Sequence, residues 1–510
     1  MTLRSPRLIT FALLSAFLLE FPVPSMASPL ESTGSAYKPT PLDLNLPSLG
    51  TVAGSDLSPN DEYELGQEIM MEVRKDPRYM TDPEISEYLN HLGFKLVSNA
   101  QSYTYRFFFF PMREPSLNAF AMPGGFIGVN TGTIVNAQNE SELAGVMGHE
   151  IGHVSQRHIA RMIDQQRANL PITIGSILLA ILAARAGGNS GGDLASAIAL
   201  GGQAALIQRQ LNYSQSAERE ADRVGLQTLY KSGFAPSGLR NFFRRLENND
   251  RFTQMVAPSY LSTHPLTSER IADMDNRLRQ MPTRMVSNSL AFKLIQFRAQ
   301  VLQETTIAQW ERLKSAWLAR YDKAGNQEKP IIAYGLSVVS AYLNQPQEAL
   351  RWAERSMSAG ASDILTRNLT RAQFSLAKTR EAQTAAIKAA QKGMERYPLS
   401  VMMVNNVLDM LFATEQYSKV IQLTQHNDAF GTDSPEYHQW LARTYERLGK
   451  RSQQFLHTGV LLEMKGEKEA AAYQYEMAQR QADADFYTMS NIDARLREVR
   501  ASLKNEKSKK

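Results

Sequence analysis

The sequence predicts an α+β protein: a mostly helical domain holding a small β-sheet, followed by an all-α domain of repeated helix pairs. Three observations carry this. Apolar residues recur at helical spacing over much of residues 58–286. Two short runs there, "YTYRFFFFP" and "NAFAMPGGFIGVNTG", have strand composition instead. From about residue 287 strand signals cease, and turn-to-helix junctions recur at Ala349, Ala382, Val420 and Gln453, spaced 33, 38 and 33 residues apart. A period near 34 built of paired helices is the signature of tetratricopeptide repeats, which offer a concave groove to peptides or partner proteins. Residues 287–500 are therefore expected to recognise other proteins, and 501–510 to be a flexible basic tail.

At 510 residues the chain exceeds what one ordinary core serves. With 43% hydrophobic and 21% charged residues it is globular, neither disordered nor membrane-embedded. The net charge of +5 does not point to nucleic acid, because no Lys/Arg cluster stands beside interleaved aromatics except the short tail "KNEKSKK". Arg4 and Arg7 precede the apolar run "LITFALLSAFLL", and Ser25 and Ala27 occupy the small-residue positions before a cut. Residues 1–27 thus read as a secretory signal peptide cleaved after about Ala27. The exported chain has no cysteine, hence neither a disulfide nor a thiol to carry a lipid.

Residues 28–57 are rich in Pro, Ser, Gly and Thr without period and read as an extended terminus. Ser58 then caps a helix with Pro59 at its first position and Asp61 in its first turn. "DPEISEYLNHLGFKLVSNA" is a second amphipathic helix with Ile85, Tyr88, Leu89, Leu92 and Leu96 on one side. The phenylalanine run reads as a strand buried on both faces, and two extended segments flank Gly124-Gly125. A helix is expected over 141–165. Between Arg167 and Arg185 lie 17 uncharged residues including Pro171 and Gly175. A membrane span wants about 20, so 170–184 is expected to form an apolar hairpin that covers the site or touches a membrane surface. Further helices begin near Ser214 and at Thr267 or Ser268.

The chemistry is concentrated in "GVMGHEIGHVSQRH", residues 145–158. On a helix His149 and His153, four apart, project from one face and can share one tetrahedral zinc. Glu150 follows the first ligand and can reach a metal-bound water as general base. His158, five past His153, is expected to be a surface or packing residue. A catalytic zinc keeps three protein ligands, and "SQSAEREADRVG" offers the third. Glu218 and Asp222 share a helix face while Glu220 is turned about 160° from it. Glu218 is therefore the expected ligand, and Asp222 the hydrogen-bond partner of a ligand imidazole.

The segments "NAFAMPGGFIGVNTGTI", "GHEIGHV", "SAEREADRVG" and "STHPLTSERI", in this order, resemble the gluzincin metallopeptidases of the CAAX prenyl protease/HtpX type. The export signal and the repeats narrow the resemblance to a bacterial periplasmic branch of that family. It implies a zincin-type domain over 58–286 with one Zn(2+) on His149, His153 and Glu218, and Glu150 as base. It implies that the strand Phe126, Ile127, Gly128 and Val129 borders the cleft and pairs with substrate backbone. It also implies that His264 can approach the zinc as a fourth ligand and close the site. The implied role is quality control of outer-membrane β-barrel proteins beside the barrel-assembly machinery, with peripheral membrane contact through 170–184. A non-proteolytic chaperone or scaffold acting through the repeats, with a largely silent metal site, is the competing expectation.

Overall fold

A computed structural model of the chain describes residues 57–100, 106–167, 215–252, 260 and 264–509. Residues 1–27, expected to be a signal peptide, nearly all of 28–57 and the apolar segment 170–184 lie outside these residues. No helix among the described residues is long and apolar enough to cross a membrane.

The N-terminal half begins with α1 (Pro59–Val73) and α2 (Pro83–Val97), capped by the side chains of Ser58 and Asp82. Then come β1 (Phe108–Met112), β2 (Ala119–Ala121) and β3 (Phe126–Asn130). The sheet order is β1-β3-β2, with β1 parallel and β2 antiparallel to the central β3. Strand alternation divides the phenylalanine run between two cores. Phe107 and Phe109 join the main core with Leu89, Leu92, Leu143 and Ile151, while Phe108 and Phe110 pack with Ile69, Met70, Ile159 and Ile163. A strand covered on both faces has no polar side to present, which is why the run is unbroken.

After a short α3 (Thr131–Asn136), α4 (Glu140–Ser155) carries the histidine motif and α5 (His158–Arg167) follows. The single helix expected over 141–165 is thus two, because Arg157 adopts a left-handed φ of 53° and breaks it. The half closes with α6 (Gln215–Lys231), α7 (Ser237–Phe252) and α8 (Ser268–Arg279), the last capped by Thr267.

The C-terminal half is helical throughout: α9 (Leu290–Gln303), α10 (Ile307–Lys323), α11 (Lys329–Tyr342), α12 (Pro346–Ser356), α13 (Asp363–Leu376), α14 (Arg380–Arg396), α15 (Val401–Ala413), α16 (Tyr417–His426), α17 (Pro435–Arg447), α18 (Arg451–Met464), α19 (Lys468–Gln479) and α20 (Phe486–Lys509). Second helices of successive pairs start at 346, 380, 417 and 451, spacings of 34, 37 and 34. The four residues matched in the sequence fall in the first turns of α12, α14, α16 and α18, although only Ala349 and Val420 are buried. The tail expected to be flexible instead continues α20 to Lys509. "ASLKNEKSKK" holds no Gly or Pro, Val499 is buried just before it, and Lys468 Nζ lies 3.0 Å from Ser502 Oγ.

The two halves share one core, in which Leu92 and Ile127 belong with Phe292, Tyr334 and Ile364. Three acids near the start of α2 reach into the repeat half. Asp82 takes a forked ion pair from Arg298 at 2.8 and 2.5 Å. Glu84 accepts from Arg367 and the Tyr334 hydroxyl. Glu87 accepts from Ser400 Oγ and from Met402 N, both at 2.7 Å, at the start of α15. Such buried ionic contacts add little net stability, but losing one partner is costly because the other is left buried and unpaired.

Burial pushes the Glu87 carboxyl up to about 7, although the Ser400 and Met402 hydrogen bonds pull the other way. As pH rises from 4.5, the unfolded chain loses this proton before the folded one does. Stability is therefore lost between about pH 4.5 and 7 and is flat above. Glu87→Gln should remove that slope, making the variant more stable than wild type at pH 8 by up to ~3 kcal/mol. Thermal unfolding of both proteins from pH 5 to 8 checks this; parallel curves would refute it.

Candidate metal centre

The centre is built where α4 meets α6, and small residues set how close they come. A Cβ at Gly152 would stand 2.9 Å from the carbonyl oxygen of Ala221, and one at Gly225 would stand 3.1 Å from His149 N. With no side chain between them the backbones nearly touch, and His149, Glu150, His153, Glu218 and Asp222 are all buried at the seam. His264 comes from the turn before α8 and is also fully buried. Pro265 keeps that residue out of helix, and the ring stacks on Tyr260 at 4.7 Å between centroids.

One atom from each of His149, His153, Glu218 and His264 lies within 4.8 Å of every other. The two Nε2 atoms of His149 and His153 are 3.0 Å apart. Glu218 Oε2 is 3.4 Å from His149 Nε2, and Oε1 is 3.5 Å from His153 Nε2. His264 Nδ1 lies 3.4 Å from His149 Nε2 and 3.0 Å from Glu218 Oε1. Glu150 stands beside this group: Oε2 accepts from Ala121 N at 2.9 Å, and Oε1 is 3.5 Å from His264 Nε2.

Outside the cluster, His149 and His153 each have a partner at the other ring nitrogen. His149 Nδ1 is 2.9 Å from Asp222 Oδ1, and His153 Nδ1 is 2.9 Å from His158 Nδ1. With the proton held on the outer nitrogen, the ring atoms that face inward offer lone pairs beside a carboxylate, an arrangement that a cation satisfies and a dry pocket does not. The electrostatics agree. Burial opposes charge on His149, yet hydrogen bonds to Asp222 and Glu218 outweigh it and raise its pKa to about 9. Burial would lift Glu218, but His264 and His149 hold it well below the usual carboxylate range. Burial, abetted by the neighbouring imidazoles, drives His153 far down. The pocket stabilises positive charge at its centre, and the residues fit a metal ion.

Two contributors were not legible in the sequence as contributors. Arg270, fully buried on α8, donates to both oxygens of Asp222 at 2.8 Å and stands 2.8 Å from Glu218 Oε2. It also donates to the Pro265 carbonyl at 2.8 Å, tying the His264 turn to the acids. It sits inside "STHPLTSERI", but only the fold shows what it meets. His158, expected on the surface or in packing, is buried behind His153, because the break at Arg157 redirects it.

The substrate-strand expectation needs correction. Phe126, Ile127, Gly128 and Val129 lie in the central strand and are hydrogen-bonded on both sides, so no added strand can pair with them. β2 flanks β3 on the side of Glu150, and Ala121 N reaches that carboxylate.

Residues 83–278 match peptidase family M48, and the matched stretch contains every residue of this cluster. Over those residues the chain is similar to the peptidases of family M48. A Vibrio cholerae serotype O1 relative is 38% identical over 315 residues, 60% of this chain and 62% of its own length. The beta-barrel assembly-enhancing protease of Escherichia coli O157:H7 is 35% identical over 318 residues, 62% of this chain and 63% of that protein. Metalloprotease LoiP of Escherichia coli strain K12 is 30% identical over 162 residues, 32% of this chain and 59% of that protein. The matched region thus spans under two thirds of the length of these relatives.

The seam between α4 and α6 makes a sharp forecast. Gly152→Ala must push backbone apart and should cost about 1–3 kcal/mol along with much of the metal retention. Gly148→Ala, whose Cβ would sit 3.4 Å from Gly225 O, should be tolerated. Thermal unfolding and metal content of the two variants decide; equal behaviour would contradict this account of the seam.

Proposed function

We propose that this chain is an exported, periplasmic zinc metalloendopeptidase that helps outer-membrane β-barrel proteins assemble and degrades those that fail. The observation carrying the reading is the convergence of one donor atom from each of His149, His153, Glu218 and His264 within 4.8 Å of one another, with contacts of 3.0–3.5 Å between five of the pairs. Ligands about 2.0–2.2 Å from a tetrahedral zinc stand about 3.3–3.6 Å apart, so one zinc fits this cage. Zinc would supply Lewis acidity toward a peptide carbonyl.

The chain's own residues do the rest. Ala121 N pins one oxygen of Glu150 and leaves the other facing the cage, where it can take the proton from an attacking water. Asp222, held by Arg270, fixes the His149 ring.

The client class rests on the relatives named beta-barrel assembly-enhancing protease. The repeats are the part suited to holding clients and the barrel-assembly machinery, with 170–184 as a peripheral membrane contact and no role for nucleic acid. A second reading, a chaperone or scaffold with a largely silent metal site, is favoured by one observation. His264 Nδ1 fills the corner that a catalytic zinc must keep open. A latent protease reconciles the two: the folded chain can hold clients while closed, and displacement of His264 exposes the site.

Wild-type protein purified without chelator should hold one zinc per chain by elemental analysis. Glu150→Gln should keep the zinc and lose casein digestion by at least about 10²-fold. A metal-free wild type, or a Gln variant that still digests, would refute the assignment. His264→Ala should retain zinc and cleave faster than wild type in the same assay. A folded, zinc-loaded His264→Ala protein that is slower would make His264 an aid to catalysis and end the latency reading.

A further inference from the structure

The two helix histidines are backed differently. His149 has Asp222 at its Nδ1, whereas the Nδ1 of His153 meets the imidazole of His158, at 2.9 Å. An unbroken helix would put His158 about 140° around the axis from His153 and out of reach. The chain instead leaves α4 at Ser155 and turns at Arg157, a non-glycine residue in the left-handed region. Arg157 is held there by Glu62, at 2.8 and 2.5 Å, and by the carbonyl of Leu57. A backbone of that kind persists only where its surroundings impose it. Its result is to set the ring of His158 against that of His153, centroids 4.8 Å apart at 75°.

Hydrogen-bond bookkeeping then runs one way. Glu220 Oε2 lies 3.1 Å from His158 Nε2 and 2.9 Å from Arg161 Nη2, and a carboxylate paired with arginine only accepts. His158 must carry its proton on Nε2, which leaves a lone pair on Nδ1. That lone pair accepts from His153 Nδ1–H, and His153 is left with a bare Nε2 aimed into the metal cluster. We propose that Glu220 and His158 form a positioning relay that fixes the tautomer and ring orientation of His153 for metal binding. The proposal deepens the zinc reading and rests on it. It also gives a use to the glutamate that the helix face excludes from direct ligation.

The test is zinc affinity of the full chain, by competition with a chromogenic chelator, beside the thermal stability of the metal-free protein. His158→Phe keeps the ring's bulk and removes the acceptor; it should weaken zinc about 10–100-fold. His158→Asn places an oxygen where Nδ1 stood and should restore most of the affinity, which a purely packing role would not do. Glu220→Gln should weaken zinc several-fold and add little on top of His158→Phe. Should His158→Phe not fold, His158→Asn and Glu220→Gln carry the test alone: wild-type-like zinc binding by Glu220→Gln would then overturn the relay. The relay is equally overturned if wild type binds zinc and His158→Phe binds it within twofold, or if His158→Asn is as weak as His158→Phe. If wild type itself binds no zinc, the metal reading fails and the relay fails with it.

Discussion

The structure of the N-terminal half depends on one unfavourable arrangement made favourable. Two imidazole lone pairs, a carboxylate and a third imidazole converge in a space sealed from water. Lone-pair atoms 3.0 Å apart repel unless positive charge lies between them. Everything nearby keeps them there regardless. Gly152 and Gly225 let α4 and α6 close to backbone contact, and Arg270 clamps Asp222 and Glu218 from behind. Tyr260 stacks against His264. The site is held together by packing and outer hydrogen bonds, so that its inward-facing atoms remain available to a cation.

The same logic links site to sheet and sheet to repeats. Ala121 reaches Glu150 only because β2 pairs with β3, and β3 is held by β1, whose Phe109 packs against α2. α2 in turn places Asp82, Glu84 and Glu87 against Arg298, Arg367 and the start of α15. No helix of the C-terminal half touches the cluster, yet the helix that supports the sheet is bound to four of them. The repeats are thus joined to the helix that supports the sheet through side chains that are buried and paired.

Much of this was legible in the chain itself because spacing is chemistry. Residues four apart on a helix share a face, and that alone put His149 with His153 and Glu218 with Asp222, where the fold also places them together. Four phenylalanines in a row could only be a strand with two buried faces. What stayed hidden depended on contacts between distant segments or on backbone that propensity does not encode. Arg270 looks like any surface arginine until α8 is laid across α6. The break at Arg157 has no glycine or proline to announce it, so His158 was expected on the wrong side of the helix. Strand order was equally silent: the sequence shows that "FIGVN" is extended, not that strands occupy both its edges.

The account's central claim is that three imidazoles and one carboxylate form a closed tetrahedral cage around a single ion. Zinc-edge X-ray absorption of the wild-type protein tests this most directly. The account predicts four nitrogen or oxygen neighbours at about 2.0–2.1 Å with scattering from three imidazoles, falling to two imidazoles in His264→Ala. A wild-type spectrum with two imidazoles or fewer, or with six-coordinate oxygen ligation, would contradict it.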